Sequence, residues 1–166
     1  MKVNWREVVS RHHEWAHRDD DCVLLMPDPS DEKRLVDKLG SLGFPRVEEF
    51  ESFYRSVDGY GSKWNVDDED SWLFVPVDQL PTAVKHGRDW FLKTHPDIAE
   101  RFFAFINWGN GDYSGYLLDE TGGCDGRIYT FEHEMFEFDE KQDWRDFLDS
   151  YYDSILDFLS MSLDES

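Results

Sequence analysis

Three aromatic-rich runs separated by glycine turns constrain the fold of this chain more than any other feature. They are FFAFINW (102–108), YSGYLL (113–118) and RIYTF (127–131). Aromatic and β-branched residues of this density, in runs of five to seven, predict strands. NWGNGD (107–112) and DETGGCDG (119–126) lie between them. Gly, Asn and Asp there favour tight turns, so consecutive strands are expected to pair back on one another. Gly59, Gly109 and Gly111 are read as turn residues rather than as parts of a phosphate loop. No G-K-[ST] follows any of them, and the surrounding acids would repel phosphate.

Helical patterns precede these strands. Trp5, Val8, Val9, His12 and Trp15 recur at helical spacing over 3–18 and predict a first helix, ended by Asp19-Asp20-Asp21. CVLLM (22–26) is a short buried run, either a strand or a packed linker. Asp28-Pro29 suggests a helix start, with Leu35, Val36 and Leu39 on one face. GSLGFP (40–45) breaks that helix, and a second follows over about 46–56, giving a helical hairpin. DGYG (58–61) stops it. WLFVPV (72–77) reads as a strand with Pro76 at its end, and 82–93 as a helix. The last helix is expected over 141–161. Trp144, Phe147, Leu148, Tyr151, Tyr152, Ile155, Leu156 and Leu159 form its wide apolar stripe, and Asp146, Asp149, Asp153 and Asp157 share its opposite face.

Charge narrows the function classes. The chain has 17 Lys+Arg against 37 Asp+Glu, a formal net charge of −20. Seven Trp, seven Tyr and thirteen Phe make it foldable despite that charge. A basic face for nucleic acid is excluded on these numbers, and an anionic membrane surface is disfavoured. No run approaches the roughly 20 apolar residues of a membrane span. The first residues lack the apolar stretch of a signal peptide, which predicts a cytoplasmic protein with Cys22 and Cys124 as reduced thiols. The acidity is also uneven. Residues 1–101 carry 14 basic and 21 acidic side chains, a net of −7, whereas 102–166 carry 3 and 16, a net of −13. A concentrated acidic region produces a directed field that steers a basic partner.

The order of these features resembles the SUKH superfamily, which includes a yeast cell-wall regulator family and bacterial immunity proteins. The hairpin with its Gly/Pro break, Asp58-Gly59, Val75 to Leu80, Gly111-Asp112 with Tyr113 to Asp119, and Ile128 to Glu134 carry the likeness. The resemblance implies an α+β domain with a largely antiparallel sheet packed by helices on one side. An N-terminal helical hairpin and an amphipathic C-terminal helix go with it. One domain spans 1–166, with 1–28 as a helical extension, 29–161 as the core and 162–166 as a tail. The implied function is that of a non-enzymatic bacterial immunity protein, a monomer or weak homodimer that needs no cofactor. Its partner would be a cognate polymorphic toxin, a basic nuclease, with no direct contact to nucleic acid. Asp146, Asp149, Asp153 and Asp157 are the first candidates for the toxin-binding face. Glu132, Glu134, Glu137 and Asp112 are the second. A regulatory or scaffold module of the same fold is the alternative.

One motif points elsewhere. His13-Glu14-Trp15-Ala16-His17 is a literal H-E-x-x-H, which on a helix places two imidazoles on one face with a Glu as general base of a zinc hydrolase. Arg11 and Arg18 beside it oppose a dication, and no later His continues the motif. No metal site is therefore assigned, with His13 and His17 as the only candidates. His133 and Asp112 could form an acid–base pair, though a structural role is favoured. Trp64, Trp72 and Trp108 lie near turns and read as core or as interface anchors.

Overall fold

The computed structural model describes residues 2–65 and 67–160. The expected tail 162–166, and position 161 of the expected last helix, lie outside the described residues. The fold is α+β, built on one seven-stranded antiparallel sheet whose spatial order is its sequence order. The strands are β1 (Val23–Leu25), β2 (Tyr60–Lys63), β3 (Ser71–Phe74), β4 (Phe102–Asn107), β5 (Tyr113–Leu117), β6 (Ile128–Phe131) and β7 (Leu148–Tyr152). Helices are inserted into the connections. Helix α1 (Trp5–Ala16) precedes β1, and α2 (Glu32–Leu42) and α3 (Glu48–Ser56) join β1 to β2. Helices α4 (Leu80–Asp89) and α5 (Pro96–Arg101) join β3 to β4, and α6 (Ile155–Leu159) follows β7. Among the described residues, no helix is long and apolar enough to cross a membrane.

The hairpin α2–α3 forms as the sequence predicts, and its break has a local cause. Gly43 adopts a φ of 64°. The Gly43 N–H donates to Gly40 O at 3.2 Å and the Phe44 N–H to Leu39 O at 3.0 Å, the Schellman closure that favours glycine followed by an apolar residue. The N-cap is Asp31 rather than Asp28. Its side chain accepts from Arg34 N at 2.8 Å, and Asp28-Pro29 stays in the preceding loop.

Strand β4 is buried along its first five residues, so it faces apolar groups on both sides. Phe103 and Phe105 point into a core with Trp5, Leu39, Phe50, Phe53 and Phe158. Phe102 and Ala104 point into a second core with Phe91, Ile98, Phe131 and Phe147. A register shift between Ala104 and Ile106 lets Phe105 and Ile106, adjacent in sequence, both enter the first core. Helices on one side alone therefore do not describe this sheet. Helices α1–α3 and α6, with Leu80, Ala83 and Val84 of α4, cover one face, while α5 and the turn carrying Phe91 cover the other. Gly87 of α4 also lies on that second face, where a Cβ would come within 2.7 Å of the Ala104 Cβ. Trp5 and Val9 are fully enclosed in the first core, which binds the N-terminal helical extension into the fold.

The end of the chain departs most from expectation. Instead of one helix over 141–161, the structure has a 3-10 turn at Trp144–Asp146, strand β7 and then α6 of only five residues. The apolar stripe is real but is divided between the two cores. Trp144, Phe147 and Leu148 join the second, Tyr152, Ile155, Leu156 and Leu159 join the first, and Tyr151 stays exposed, in neither. These cores lie on opposite faces of the sheet, and a single straight helix can bury its stripe against only one of them. The chain crosses between them as β7, which also pairs the otherwise open edge of β6. Ser154 then caps α6, accepting from Asp157 N at 2.9 Å. The Glu49 carboxylate of α3 accepts from Ile155 N at 2.6 Å and Leu156 N at 3.2 Å. Burial raises the Glu49 pKa above the ordinary carboxylate value, and the two N–H groups act against that rise. Glu49→Ala should leave both donors unsatisfied and cost about 1–3 kcal/mol, measurable as a lowered urea midpoint.

Candidate functional site: an acidic rim around exposed aromatics

The segment after β6 builds the most distinctive surface among the described residues. Phe131 ends the strand inside the second core, and the chain turns out through a 3-10 turn at His133–Met135. Asp112 fixes that turn. Its Oδ1 accepts from the His133 backbone N–H at 3.0 Å and bonds His133 Nδ1 at 2.5 Å. Gly111 (φ 102°) permits this approach, since a Cβ there would lie 3.1 Å from His133 Nδ1. Gly109 also has positive φ. So does Gly59, where a Cβ would sit 2.6 Å from Phe74 O. The three predicted turn glycines are thus used as turns. Asp112 and His133 do meet, half-buried, and their pairing holds the loop.

Beyond the turn, Phe136 dips into the second core while Phe138 stays 65% exposed. Phe138 has φ 58° and, among the described residues, is the only non-glycine with positive φ. That backbone state costs an L-residue about 1–2 kcal/mol, and strained residues cluster at binding sites. Phe138 packs on Phe136 (ring centroids 4.6 Å) and on Trp90 (6.0 Å), and Trp90 in turn packs on His133 (5.5 Å). Trp90 is itself 37% exposed. Asp89, Trp90, Lys93, Thr94 and Phe138 line a shallow open hollow there.

Carboxylates flank Phe138 along the loop, and Lys93 lines the hollow beside it. Glu134, Glu137, Asp139 and Glu140 are exposed. Residues 132–146 hold seven acidic side chains against Lys141 and Arg145. Arg145 is occupied by Asp143 at 3.3 Å. Among the described residues, no cation forms an ion pair with Glu134, Glu137 or Glu140. Glu132 accepts a hydrogen bond from the Tyr151 hydroxyl, and that bond is the main reason the Tyr151 pKa is pushed up to about 12.

The candidate acidic residues therefore fall into two sets. Glu132, Glu134 and Glu137 stand on one loop, with Asp112 beneath it. Asp146 and Asp149 border that loop, because the Glu132 N–H donates to Phe147 O at 2.9 Å and Thr130 pairs with Asp149. Asp153 and Asp157 lie at the other end of β7. There Asp153 pairs with Arg127 at 2.5 Å and Asp157 takes part in capping α6. All four aspartates are exposed, but they share no helix face because no helix runs through them. Phe138 and Trp90 were missed as surface residues. The available signal was a lone phenylalanine inside the acidic run EFDE (137–140). Of the tryptophans singled out near turns, Trp64 is exposed, Trp72 is half-buried, and Trp108 is 37% exposed while packing on Phe158 and donating to Ser114 Oγ at 2.8 Å.

His13 and His17 do share one side of α1, with ring centroids 4.6 Å apart. A zinc hydrolase would need both imidazoles on one ion, whereas His13 Nε2 bonds the Cys22 carbonyl at 3.1 Å. Glu14 is exposed. Both cysteines are free thiols.

No family model matches this sequence, and no curated protein matches it.

Proposed function

We propose that this protein is a non-enzymatic, cytoplasmic immunity protein of the SUKH type, which neutralises a basic toxin by covering its active surface. The observation that carries this reading is the strained, exposed Phe138 packed beside Trp90 on a loop whose Glu134, Glu137 and Glu140 have no ion-pair partner among the described residues. An aromatic anchor ringed by charge is the arrangement of a protein–protein hot spot: the rings supply desolvated contact area and the rim supplies orientation and encounter rate. A toxin that acts on nucleic acid offers a basic, phosphate-binding surface, complementary to this rim. The α+β class and the antiparallel sheet agree with the architecture that the resemblance implies, while the helical cover on the second face departs from it. The binding face is centred on Phe138, Trp90, Glu134 and Glu137, flanked by Glu132, Asp146 and Asp149. Asp112 serves it from below.

Affinity capture with the full chain from native extract, at low and at high salt, tests the proposal. The expected result is one basic nuclease-like protein retained at low salt and weakened as salt rises. Glu134→Lys with Glu137→Lys should weaken that binding at least about tenfold. Phe138→Gly should do the same while changing stability by less than about 1 kcal/mol, because relief of the backbone strain offsets the lost ring contacts. Retention of the same partner by both variants at full strength would remove this face from the interface. Recovery of unrelated abundant proteins, insensitive to salt, would favour the scaffold reading.

A further inference from the structure

The connection between α1 and β1 gathers three metal-ligating side chains that the proposed interface does not use. His17 closes α1, Cys22 precedes β1, and Asp20 lies between them. His17 Nδ1 lies 3.0 Å from Asp20 Oδ2 and 3.1 Å from Oδ1. Asp20 Oδ1 also accepts the Cys22 N–H at 2.9 Å. The Cys22 thiol is within hydrogen-bonding reach of the Asp20 and Ser62 side chains. One ligand atom from each of His17, Asp20 and Cys22 lies within 4.8 Å of the other two, and among the described residues this is the only such trio. All three are half-buried.

We propose that His17, Asp20 and Cys22 bind one divalent transition metal ion of the zinc type. The donor set is one imidazole nitrogen, one carboxylate oxygen and one thiolate, which suits zinc and excludes the hard, all-oxygen coordination of magnesium or calcium. Zinc bonds of about 2.0–2.3 Å in a tetrahedron hold ligand atoms roughly 3.3–3.8 Å apart, so closing the trio from separations of up to 4.8 Å takes a contraction of about 1.5 Å at most. The ion replaces the proton shared by His17 and Asp20. The neutral His17 ring then carries its hydrogen on Nε2, the thiol proton leaves to solvent, and water fills the fourth position. His13 supports the site without ligating. Its Nε2–H donates to the Cys22 carbonyl and holds the ligand's backbone, the outer-shell role common around metal ligands. A bound ion ties the end of α1 to the first strand, so metal binding also stabilises the fold.

The test is titration of the chelator-stripped full chain with Co²⁺, followed by Zn²⁺ displacement. The expected result is one equivalent of Co²⁺ with a thiolate-to-cobalt charge-transfer band, displaced by Zn²⁺, and a melting temperature raised by Zn²⁺ but not by Mg²⁺. Cys22→Ser should abolish the band, His17→Gln should weaken binding at least about tenfold, and Cys124→Ser should leave both unchanged. Circular dichroism shows whether each variant is folded, and His17→Gln decides the matter if Cys22→Ser is not. Absence of the band, its survival in Cys22→Ser, or an equal effect of Mg²⁺ would overturn the site and identify diffuse screening of the negative charge instead.

Discussion

Phe105→Ala is expected to cost about 3–5 kcal/mol, the range for removing a fully enclosed aromatic ring. Phe105 is 0% exposed. Its ring lies 5.0 Å from Phe50, 5.0 Å from Tyr116, 5.8 Å from Phe74 and 6.2 Å from Phe44, centroid to centroid. These partners come from α3, β5, β3 and the hairpin break, so the cavity has walls on four sides and little freedom to collapse. Domains of this size hold roughly 5–15 kcal/mol in total, and the variant should approach unfolding. Urea denaturation would show it as a lowered midpoint at unchanged slope. A loss below about 1 kcal/mol would mean that this ring does not join hairpin to sheet.

Acidification is expected to remove about 3 kcal/mol through a single residue, His12. Its ring is buried against Tyr60 and Phe158, and Nδ1 bonds the Tyr60 hydroxyl at 2.8 Å. Burial first, then the neighbouring His13 and His17, lower its pKa from 6.5 to about 4. The unfolded chain therefore binds a proton that the folded chain refuses between those two values. Stability from this source is fully present above pH 6.5, falls as pH drops towards 4, and changes no further below it. The full span is worth about 3 kcal/mol at roughly 1.4 kcal/mol per pH unit. Protonation of the many carboxylates acts over part of the same range, so the comparison must be with His12→Gln. The difference in unfolding free energy between the native chain and that variant should shrink steadily from pH 7 to pH 4. A constant difference would show that His12 is not the titrating group.

Local chemistry made much of the fold legible. Strands β4, β5 and β6 stand where aromatic runs and glycine turns place them, and the α2–α3 hairpin breaks where GSLGFP predicts. Strand β2 was not legible. Tyr60-Gly61-Ser62-Lys63 has little intrinsic strand preference, and Gly61 is demanded by packing, since a Cβ there would lie 2.3 Å from Ser71 O. Only its neighbours β1 and β3 make it a strand. In the candidate site, the acidic loop 132–140 and the Asp112–His133 pairing could be anticipated from residue types. The contact of Trp90 with Phe138 could not, because 48 positions separate them in the chain.

The sequence alone determined the α+β class, the position of the central strands, the helical hairpin and the concentration of negative charge in the last two-fifths of the chain. The class came through the family resemblance carried by the order of the motifs, and the rest follows from side-chain periodicity, turn residues or composition, which act over a few neighbours. The tertiary structure alone decided that 141–159 would cross from one core to the other as β7 instead of burying one helical stripe. It also separated the four aspartates and raised the aromatic pair into the acidic rim. Those outcomes depend on which face of the sheet still has room for each apolar side chain, a condition set by distant elements and written in no local pattern.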